Sequence, residues 1–374
     1  MTFLPAYILL SILVLMAFMR PKSISIHFIL LLAIFLFFAF SYDNGDRLAY
    51  EYEFETIHSS TPSSYEILYI ALMKFGALFC DTFQQYRCFQ AILVLFIIDY
   101  VITRYSKAPN VVLACYLIFS ALFDATLMRH IVAMSVSLYG VFILLKAHSF
   151  RDYIFVALVF IACGLLHSSY WLLLAFIPLR LLLKAHPIIT IITVVIGYII
   201  AIQYQSIIFS LFGLFIIREG VIDKYMTGEY ANSTGALYDF VKYIFIISPC
   251  FLHIFYKKKL EPSIISNNDK QWRVSLLQDN IVIVNLMFSI ILIPQFFAVN
   301  YFRLYRVLIV INYIYMSNLY YLSSKKRNHI ISLVMLAYSF TLLLLLLFFE
   351  SENTLTDVWN MHFETNSVFK WISI

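Results

Sequence analysis

The sequence predicts an all-α polytopic membrane protein, and three observations support this fold class. The chain of 374 residues is 62% hydrophobic and 13% charged, whereas soluble domains carry about 25% charged residues. Its mean hydropathy is +0.86. Apolar runs long enough to span a bilayer recur from one end of the chain to the other. We therefore expect a single integral membrane domain over residues 1–374.

About twelve of the apolar runs have the length of a membrane-spanning helix, roughly 16–22 residues. We expect these spans at Thr2–Met19, Ile24–Phe40, Tyr86–Thr103, Val111–Leu127, His130–Lys146, Tyr153–His167, Tyr170–Leu183, Ile188–Tyr204, Tyr238–Tyr256, Ile281–Val299, Val307–Leu322 and Ile330–Phe349. Two further stretches are ambiguous. Tyr65–Phe79 carries Glu66 and Lys74 and is typical of an interfacial or re-entrant helix, and Gln205–Ile217 is too short to cross.

The distribution of charged residues predicts the side of the membrane that each loop faces. Successive loops alternate between the two sides, and one alternate set holds most of the 26 Lys and Arg residues, whereas the other holds most of the acids. Cytoplasmic loops collect basic residues, so we expect the first set in the cytoplasm and both chain termini outside. This bias also explains the net charge of +5 without nucleic-acid binding.

The loops also differ in size. Two larger segments are expected on the outer side, residues 42–85 with their interfacial helix and residues 205–237, together with a tail over residues 350–374. The cytoplasmic loop over residues 257–279 is too small for a catalytic domain. The sequence contains no GxxxxGK, GxGxxG or HExxH motif, which disfavours nucleotide-driven or zinc chemistry. We therefore expect no cofactor or metal, and chemistry in or at the membrane.

Charged and titratable residues collect at the predicted outer ends of the spans, where each charge needs a specific reason. Arg129 and His130 lie between the fourth and fifth spans, and His167 ends the sixth. Arg303 and Arg306 begin the eleventh. Residues three apart on a helix share a face, so these two guanidinium groups form a fork suited to phosphate or pyrophosphate.

Structural alternatives exist for these residues. Arginines at helix ends can extend to lipid headgroups, Asp124 can pair with Arg129, and a His such as His167 beside two serines is often a hydrogen-bonded helix end. Basic residues are disfavoured on the outer face, so we favour a functional role for the arginine pair. Among the acids, Asp46 and Glu66 are the better candidates, because they lie near an aromatic-rich border. The border consists of Tyr50, Tyr52, Tyr65 and Tyr69.

Short motifs at these positions resemble a known family. They are Gly45-Asp46-x-x-x-Tyr50, Tyr65-Glu66-Ile67-Leu68, Met128-Arg129-His130-Ile131-Val132-Ala133, Leu166-His167-Ser168-Ser169 and Tyr301-Phe302-Arg303-Leu304-Tyr305-Arg306. In their order and spacing the chain resembles the EpsG-like branch of the Wzy-type polysaccharide (O-antigen) polymerases. Two positions depart from the family pattern. Phe40-Ser41-Tyr42-Asp43 stands where the family often has an Arg, and His130 stands where it commonly has a Gln.

The resemblance implies a metal-independent glycosyl transfer on the outer leaflet of the bacterial inner membrane, with an architecture compatible with the GT-C-like glycosyltransferases. A growing glycan on undecaprenyl pyrophosphate would pass to a sugar hydroxyl of an incoming lipid-linked oligosaccharide. Membrane lipid and a chain-length regulator protein are the further partners. The implied pyrophosphate-binding residues are Arg129, His130, Arg303 and Arg306. The implied candidates for the catalytic base are Asp46, Glu66 and His167.

A lipid-linked oligosaccharide flippase is the main alternative. It would also have about twelve spans, but it should show two similar halves and a cationic cavity near the membrane midplane. Here the strongest charges lie at outer helix ends and no internal repeat is apparent, which favours the enzyme. A membrane acyltransferase fits less well, because the histidines within the spans or on the inner side form no cluster in the sequence.

Overall fold

The computed structural model describes residues 4–41, 46–57, 65–203, 236–260, 269–297, 299–322, 325–349 and 366, and every regular element within them is helical. The α-helices are α1 (Leu4–Met19), α2 (Ile24–Phe40), α3 (Arg47–Glu55), α4 (Ile67–Gly76), α5 (Phe83–Tyr105), α6 (Pro109–Ile118), α7 (Ser120–Asp124), α8 (Met128–Lys146), α9 (Phe150–Leu166), α10 (Phe176–Ala185), α11 (Pro187–Gln203), α12 (Ala236–Leu260), α13 (Asp269–Met287), α14 (Leu292–Phe297), α15 (Tyr305–Leu322) and α16 (Lys325–Phe349). The 3₁₀ helices are η1 (Ser168–Ala175), η2 (Phe288–Ile291) and η3 (Val299–Leu304).

Several of these helices have the length and composition of membrane spans. Five described stretches qualify fully: Phe83–Tyr105, Met128–Lys146, Ser168–Ala185, Leu276–Gln295 and Asn328–Leu345. Shorter apolar helices accompany them, among them α2 and α6. The predicted all-helical fold is thus confirmed over the described residues, with five candidate membrane spans, whereas the number of twelve spans and the GT-C-like architecture stay predictions.

Parts of the predicted loops lie outside the described residues. These are residues 42–45 and 58–64 of the first outer segment, residues 205–235 of the second, which include Gln205–Ile217, residues 261–268 of the inner loop, and the tail over residues 350–374 apart from Asn366. The orientation of the chain in the membrane stays a prediction.

Three of the predicted spans are not single α-helices in the structure, and one of them, Tyr170–Leu183, passes from η1 into α10. The run Val111–Leu127 is divided at Phe119, whose φ of -118° and ψ of -72° separate α6 from α7. The run Ile281–Val299 passes from α13 through η2 into α14. Hydropathy does not reveal such breaks, because the residues on both sides are apolar. Irregular backbone at membrane depth is tolerated where it is buried in protein or lines a cavity.

Helix α15 lies at the centre of the bundle, and residues 304–319 are all buried. Helices α6, α8, α12, α13 and α16 pack against it. The buried amide of Asn312 donates to the carbonyl of Ile246 over 2.9 Å and pairs with Asn285 on α13. Asn318 donates to the carbonyl of Tyr105, also over 2.9 Å. Because buried polar groups must find partners inside the protein, these bonds favour one rotation of α15.

Arg180 on α10 caps the end of α8 that lies opposite the candidate site. Its side chain is fully buried and donates to the carbonyls of Leu145 over 2.7 Å and Ala147 over 3.0 Å, and to the Tyr153 hydroxyl over 3.0 Å. The last carbonyls of a helix have no partner within the helix and form the negative end of its dipole. A buried guanidinium there stabilises this end of α8.

We expect the substitution Arg180→Met to destabilise the protein by about 2–4 kcal/mol, because the capped carbonyls lose charge-assisted hydrogen bonds. The measurement is thermal or denaturant unfolding of the detergent-solubilised protein. Lys184→Met is the matched control, since Lys184 is exposed one turn further along the same helix. Equal stability of the two variants would contradict the capping role.

Candidate active site at the convergence of helix N-termini

Most of the site residues predicted from the sequence lie at the starts of helices, whereas Arg303 lies in the last turn of η3. Asp46 immediately precedes α3, Glu66 immediately precedes α4, and Arg129 and His130 lie in the first turn of α8. His167 precedes η1. Helix N-termini present unpaired N–H groups and partial positive charge, a combination that favours anions. The starts of α4, α8 and η1 meet through contacts of Glu66.

An ion pair between Arg129 and Glu66 joins α8 to α4. The Nη1 atom of Arg129 lies 2.6 Å from Oε2 of Glu66, and each side chain is about one-fifth exposed, at 20% and 19%. The other carboxylate oxygen of Glu66 accepts the backbone N–H of Ser168 over 3.1 Å. Glu66 therefore connects the starts of three helical elements through its two oxygens.

Aromatic rings surround the Arg129 guanidinium. Its Nε donates to the Tyr50 hydroxyl over 3.1 Å, and its Cζ lies 4.3 Å from the centroid of the Tyr65 ring. The Tyr50 and Tyr65 rings are themselves in contact, with centroids 5.1 Å apart. Cation–π contact and hydrogen bonding together hold the guanidinium plane in one orientation. The site thus contains an oriented, partly exposed cation next to aromatic surface.

The charge state of Glu66 follows from this environment. Burial opposes the ionised carboxylate, but the Arg129 guanidinium and the Ser168 N–H outweigh it and lower the pKa of Glu66 below its usual value. For Tyr65, burial and the neighbouring Tyr50 raise the pKa to about 12. At neutral pH Glu66 is therefore an anion and Tyr65 a neutral phenol, and Glu66 is a poor acceptor for a further proton.

Two histidine rings lie behind the ion pair. The centroids of His130 and His167 are 5.8 Å apart, with the ring planes nearly perpendicular at 85°. Nδ1 of His167 lies 3.0 Å from the Ser169 hydroxyl. His130 is buried, and its Nδ1 lies 3.2 Å from the Tyr170 hydroxyl. His167 is partly exposed and is thus the more accessible imidazole of the two.

The two arginines of the predicted fork lie in different environments. Arg303 belongs to η3 and is half-buried, whereas Arg306 belongs to the first turn of α15 and is only 4% exposed. The boundary between the two helices falls between them, so the spacing of a single continuous helix does not apply. Nη1 of Arg306 lies 2.7 Å from Oδ1 of fully buried Asp124. Asp124 therefore pairs with Arg306 and not with Arg129, the partner considered from the sequence.

Other residues that support the site were not identified from the sequence. The Tyr116 hydroxyl donates to Asp124 over 2.7 Å. Gln90 donates to the carbonyl of Met128 over 2.6 Å and so holds the start of α8. Both are polar groups within apolar runs, and this is the signal that could have indicated them. Asp46 is exposed and lies one helical turn before Tyr50.

A double-mutant cycle measures how strongly Arg129 and Glu66 interact. We expect Arg129→Gln and Glu66→Gln to show a coupling energy of about 1–3 kcal/mol in unfolding experiments, because the pair is mostly removed from solvent. The control cycle uses Arg47 and Glu51, an i,i+4 pair with a separation of 3.4 Å. There we expect a smaller coupling, about 0.5 kcal/mol, because the contact is longer and Glu51 is more exposed than Glu66. Coupling no larger than in the control would refute the pairing.

Comparison with known proteins identifies the family. The family model described as the EpsG family matches residues 24–360, from the start of α2 to beyond α16. No curated protein sequence and no solved structure matches the chain. The matched range contains all of the candidate site residues, and it confirms the resemblance seen in the motifs. The chain belongs to the EpsG family, which is a polymerase-type, glycosyltransferase-like family.

Proposed function

We propose that the protein is a polysaccharide polymerase that joins undecaprenyl-pyrophosphate-linked oligosaccharide units at the outer face of the bacterial inner membrane. Membership of the EpsG family supports the polymerase class. The observation that carries the site assignment is the Arg129 guanidinium, held by Glu66, Tyr50 and Tyr65 at the start of α8. A fixed cation at a helix N-terminus is suited to a pyrophosphate group.

The proposed reaction needs no metal or cofactor. A hydroxyl oxygen of the acceptor sugar attacks the anomeric carbon of the donor glycan, and a new glycosidic C–O bond forms. The C–O bond between that carbon and the pyrophosphate breaks, and undecaprenyl pyrophosphate leaves with the electron pair. The hydroxyl proton passes to a base on the protein. Negative charge builds on the phosphate oxygen during departure, and donors already oriented toward it lower the barrier.

The burial of each arginine suggests its part in this reaction. Arg129 and Arg303 are partly exposed, so we assign direct contact with the pyrophosphate to them. Arg306 is buried and paired with Asp124, and His130 is buried beside Tyr170. We propose that these two residues act on the pyrophosphate indirectly, without contacting it. Arg306 contributes charge, and His130 fixes the neighbouring ring of His167.

Of the three candidate bases, Glu66 is the least suited. Both of its oxygens are engaged, by Arg129 and by the Ser168 N–H, and the ion pair lowers its pKa. We therefore propose Asp46 or His167 as the group that accepts the proton. Asp46 lies on the exposed side near Tyr50 and Tyr65, and His167 lies beside Ser169.

The surroundings of the site fit a lipid-linked sugar. Of the tyrosines in the aromatic border, Tyr50 and Tyr69 are buried, whereas Tyr65 is partly exposed beside Arg129, so we propose the Tyr65 ring as a surface on which a sugar stacks. The polyprenyl chain would lie in the membrane lipid beside the helices. A chain-length regulator protein remains a proposed partner, and both chain termini are proposed to lie outside.

Deletion and rescue test the function and the arginines together. In a strain that lacks the protein we expect single lipid-linked repeat units to accumulate and the polymer ladder to disappear from gels. Wild type should restore the ladder. Arg129→Ala and Arg303→Ala should reduce polymer by about 100-fold, since each removes charge stabilisation of the leaving group. Lys74→Ala is the matched control, because Lys74 is an exposed cation on α4 and should restore a full ladder.

The other outcomes of the rescue experiment are also informative. If single units do not accumulate in the deletion strain, transport across the membrane is the missing step, and the flippase replaces the polymerase. If the deletion strain lacks polymer but both arginine variants restore full ladders at normal membrane levels, the polymerase assignment stands and the proposed site is wrong.

The lowered pKa of Glu66 sets the expected pH dependence. The Arg129–Glu66 pair is present above the usual carboxyl pKa of about 4.3 and is lost as the pH falls through the lower folded-state pKa. We therefore expect the Glu66-dependent rate of polymerisation by reconstituted protein to stay level down to about pH 5. The Glu66→Gln variant should polymerise more slowly at every pH. Its rate should also lack the fall at acidic pH that protonation of Glu66 causes in the wild type. A Glu66-dependent fall in rate near neutral pH would contradict the ion pair.

A further inference from the structure

We propose that Asp239 is a positioning residue that holds the segment bearing Arg303 in place, through Gln295 and Lys242. Its effect on reaction rate rests on the proposed function, whereas its structural effect can be measured without any activity. The three residues lie on α12 and α14, outside the motifs that indicate the family. Nothing in the proposed chemistry uses them directly.

Burial makes this cluster unusual for a membrane protein. Asp239 and Gln295 are fully buried, and Lys242 is 2% exposed. Within predicted spans, ionisable side chains are costly and typically pair with one another at functional places. Asp239 and Lys242 lie three residues apart on α12, with Nζ of Lys242 3.9 Å from Oδ1 of Asp239. Burying both charges costs free energy, and this cost indicates that the pair has a functional role.

The contacts of the cluster connect it to η3. The Gln295 amide on α14 donates to Oδ1 of Asp239 over 2.7 Å. Nζ of Lys242 lies 4.5 Å from the ring centroid of Phe302, the residue immediately before Arg303. Asp239 thus binds Gln295 directly and reaches Phe302 through Lys242. Gln295 and Phe302 lie on either side of the junction between α14 and η3, so the Asp239 carboxylate anchors both sides of this junction.

The anchored segment leads directly to the candidate site. Helix η3 packs against η1, which follows His167, and it continues into α15, where Arg306 pairs with Asp124. Hydrogen bonds of a 3₁₀ helix are weaker than those of an α-helix, so η3 depends more on side-chain anchors to hold its position. A shift of about 1 Å in a group that binds the reacting centre can reduce a rate about 100-fold.

A direct role in catalysis is the competing explanation for Asp239. The fully buried carboxylate favours the indirect role, and a charge-balanced double variant separates the two. Asp239→Asn keeps an oxygen for the Gln295 amide but removes the anion beside the buried Lys242 ammonium. Adding Lys242→Met removes that ammonium while keeping an apolar chain against Phe302. If Asp239 acts by positioning, the double variant should recover what the single variant loses.

The test combines hydrogen exchange with polymerisation by the full-length protein in nanodiscs. The probe is the lipid-linked material extracted from the deletion strain. In Asp239→Asn we expect faster amide exchange in peptides covering residues 292–304, no change in α8, and a rate about 10- to 100-fold lower. The double variant should return both readouts most of the way to wild type. Asp279→Asn, an exposed acid on α13, is the control and should change neither.

A second variant keeps the test decisive if Asp239→Asn does not fold. Gln295→Leu leaves Asp239 and Lys242 in place and removes only the amide that donates to Oδ1 of Asp239. It should loosen the same peptides and slow the reaction.

Unchanged exchange over residues 292–304 in both variants would overturn the proposal. Asp239 would instead be a catalytic residue if Asp239→Asn lost the polymerisation rate without a change in amide exchange, and if the double variant did not recover that rate. If wild type itself does not polymerise the extract, the proposed function fails, and the exchange data still decide the positioning role.

Discussion

The contact between Arg129 and Glu66 is the interaction on which the arrangement of the candidate site depends. It joins the start of α8 to the start of α4, and through the second Glu66 oxygen it also holds the start of η1. An ionised group that is four-fifths buried is stabilised by a partner of opposite charge close by. Each charge thus fixes the position of the other, and the aromatic rings around Arg129 limit its remaining freedom.

The same constraint organises the interior of the bundle. Residues 305–319 of helix α15 are all buried, and polar groups in such a place are stabilised by pairing with other parts of the protein. Asn312 and Asn318 bond to α12, α13 and the end of α5, and Arg306 pairs with Asp124 at the end nearest the site. The scaffold and the site are therefore both stabilised by buried polar contacts, with Arg180 capping α8 at its far end.

A site built at helix N-termini suits the chemistry proposed for an EpsG family member. Backbone N–H groups, guanidinium groups and aromatic rings together can receive an anionic leaving group and the sugar attached to it. Such a site needs few charged residues, which agrees with a chain that is only 13% charged. The arrangement also explains why the informative motifs are short, since each marks the start of one helix.

The sequence by itself determined the helical membrane class, the approximate positions of many helices, the family and the residue types of the site, because hydropathy and short motifs are local properties. The tertiary structure decided how these residues pair. Sequence spacing suggested a fork of Arg303 and Arg306 and a contact between Asp124 and Arg129. In the structure a helix boundary separates the first two, and Asp124 pairs with Arg306. The interruption at Phe119 and the anchor at Asp239 were also missed. Partners more than a hundred residues apart are chosen by packing and by the cost of leaving a buried charge unpaired, and neither can be read from a local stretch of sequence.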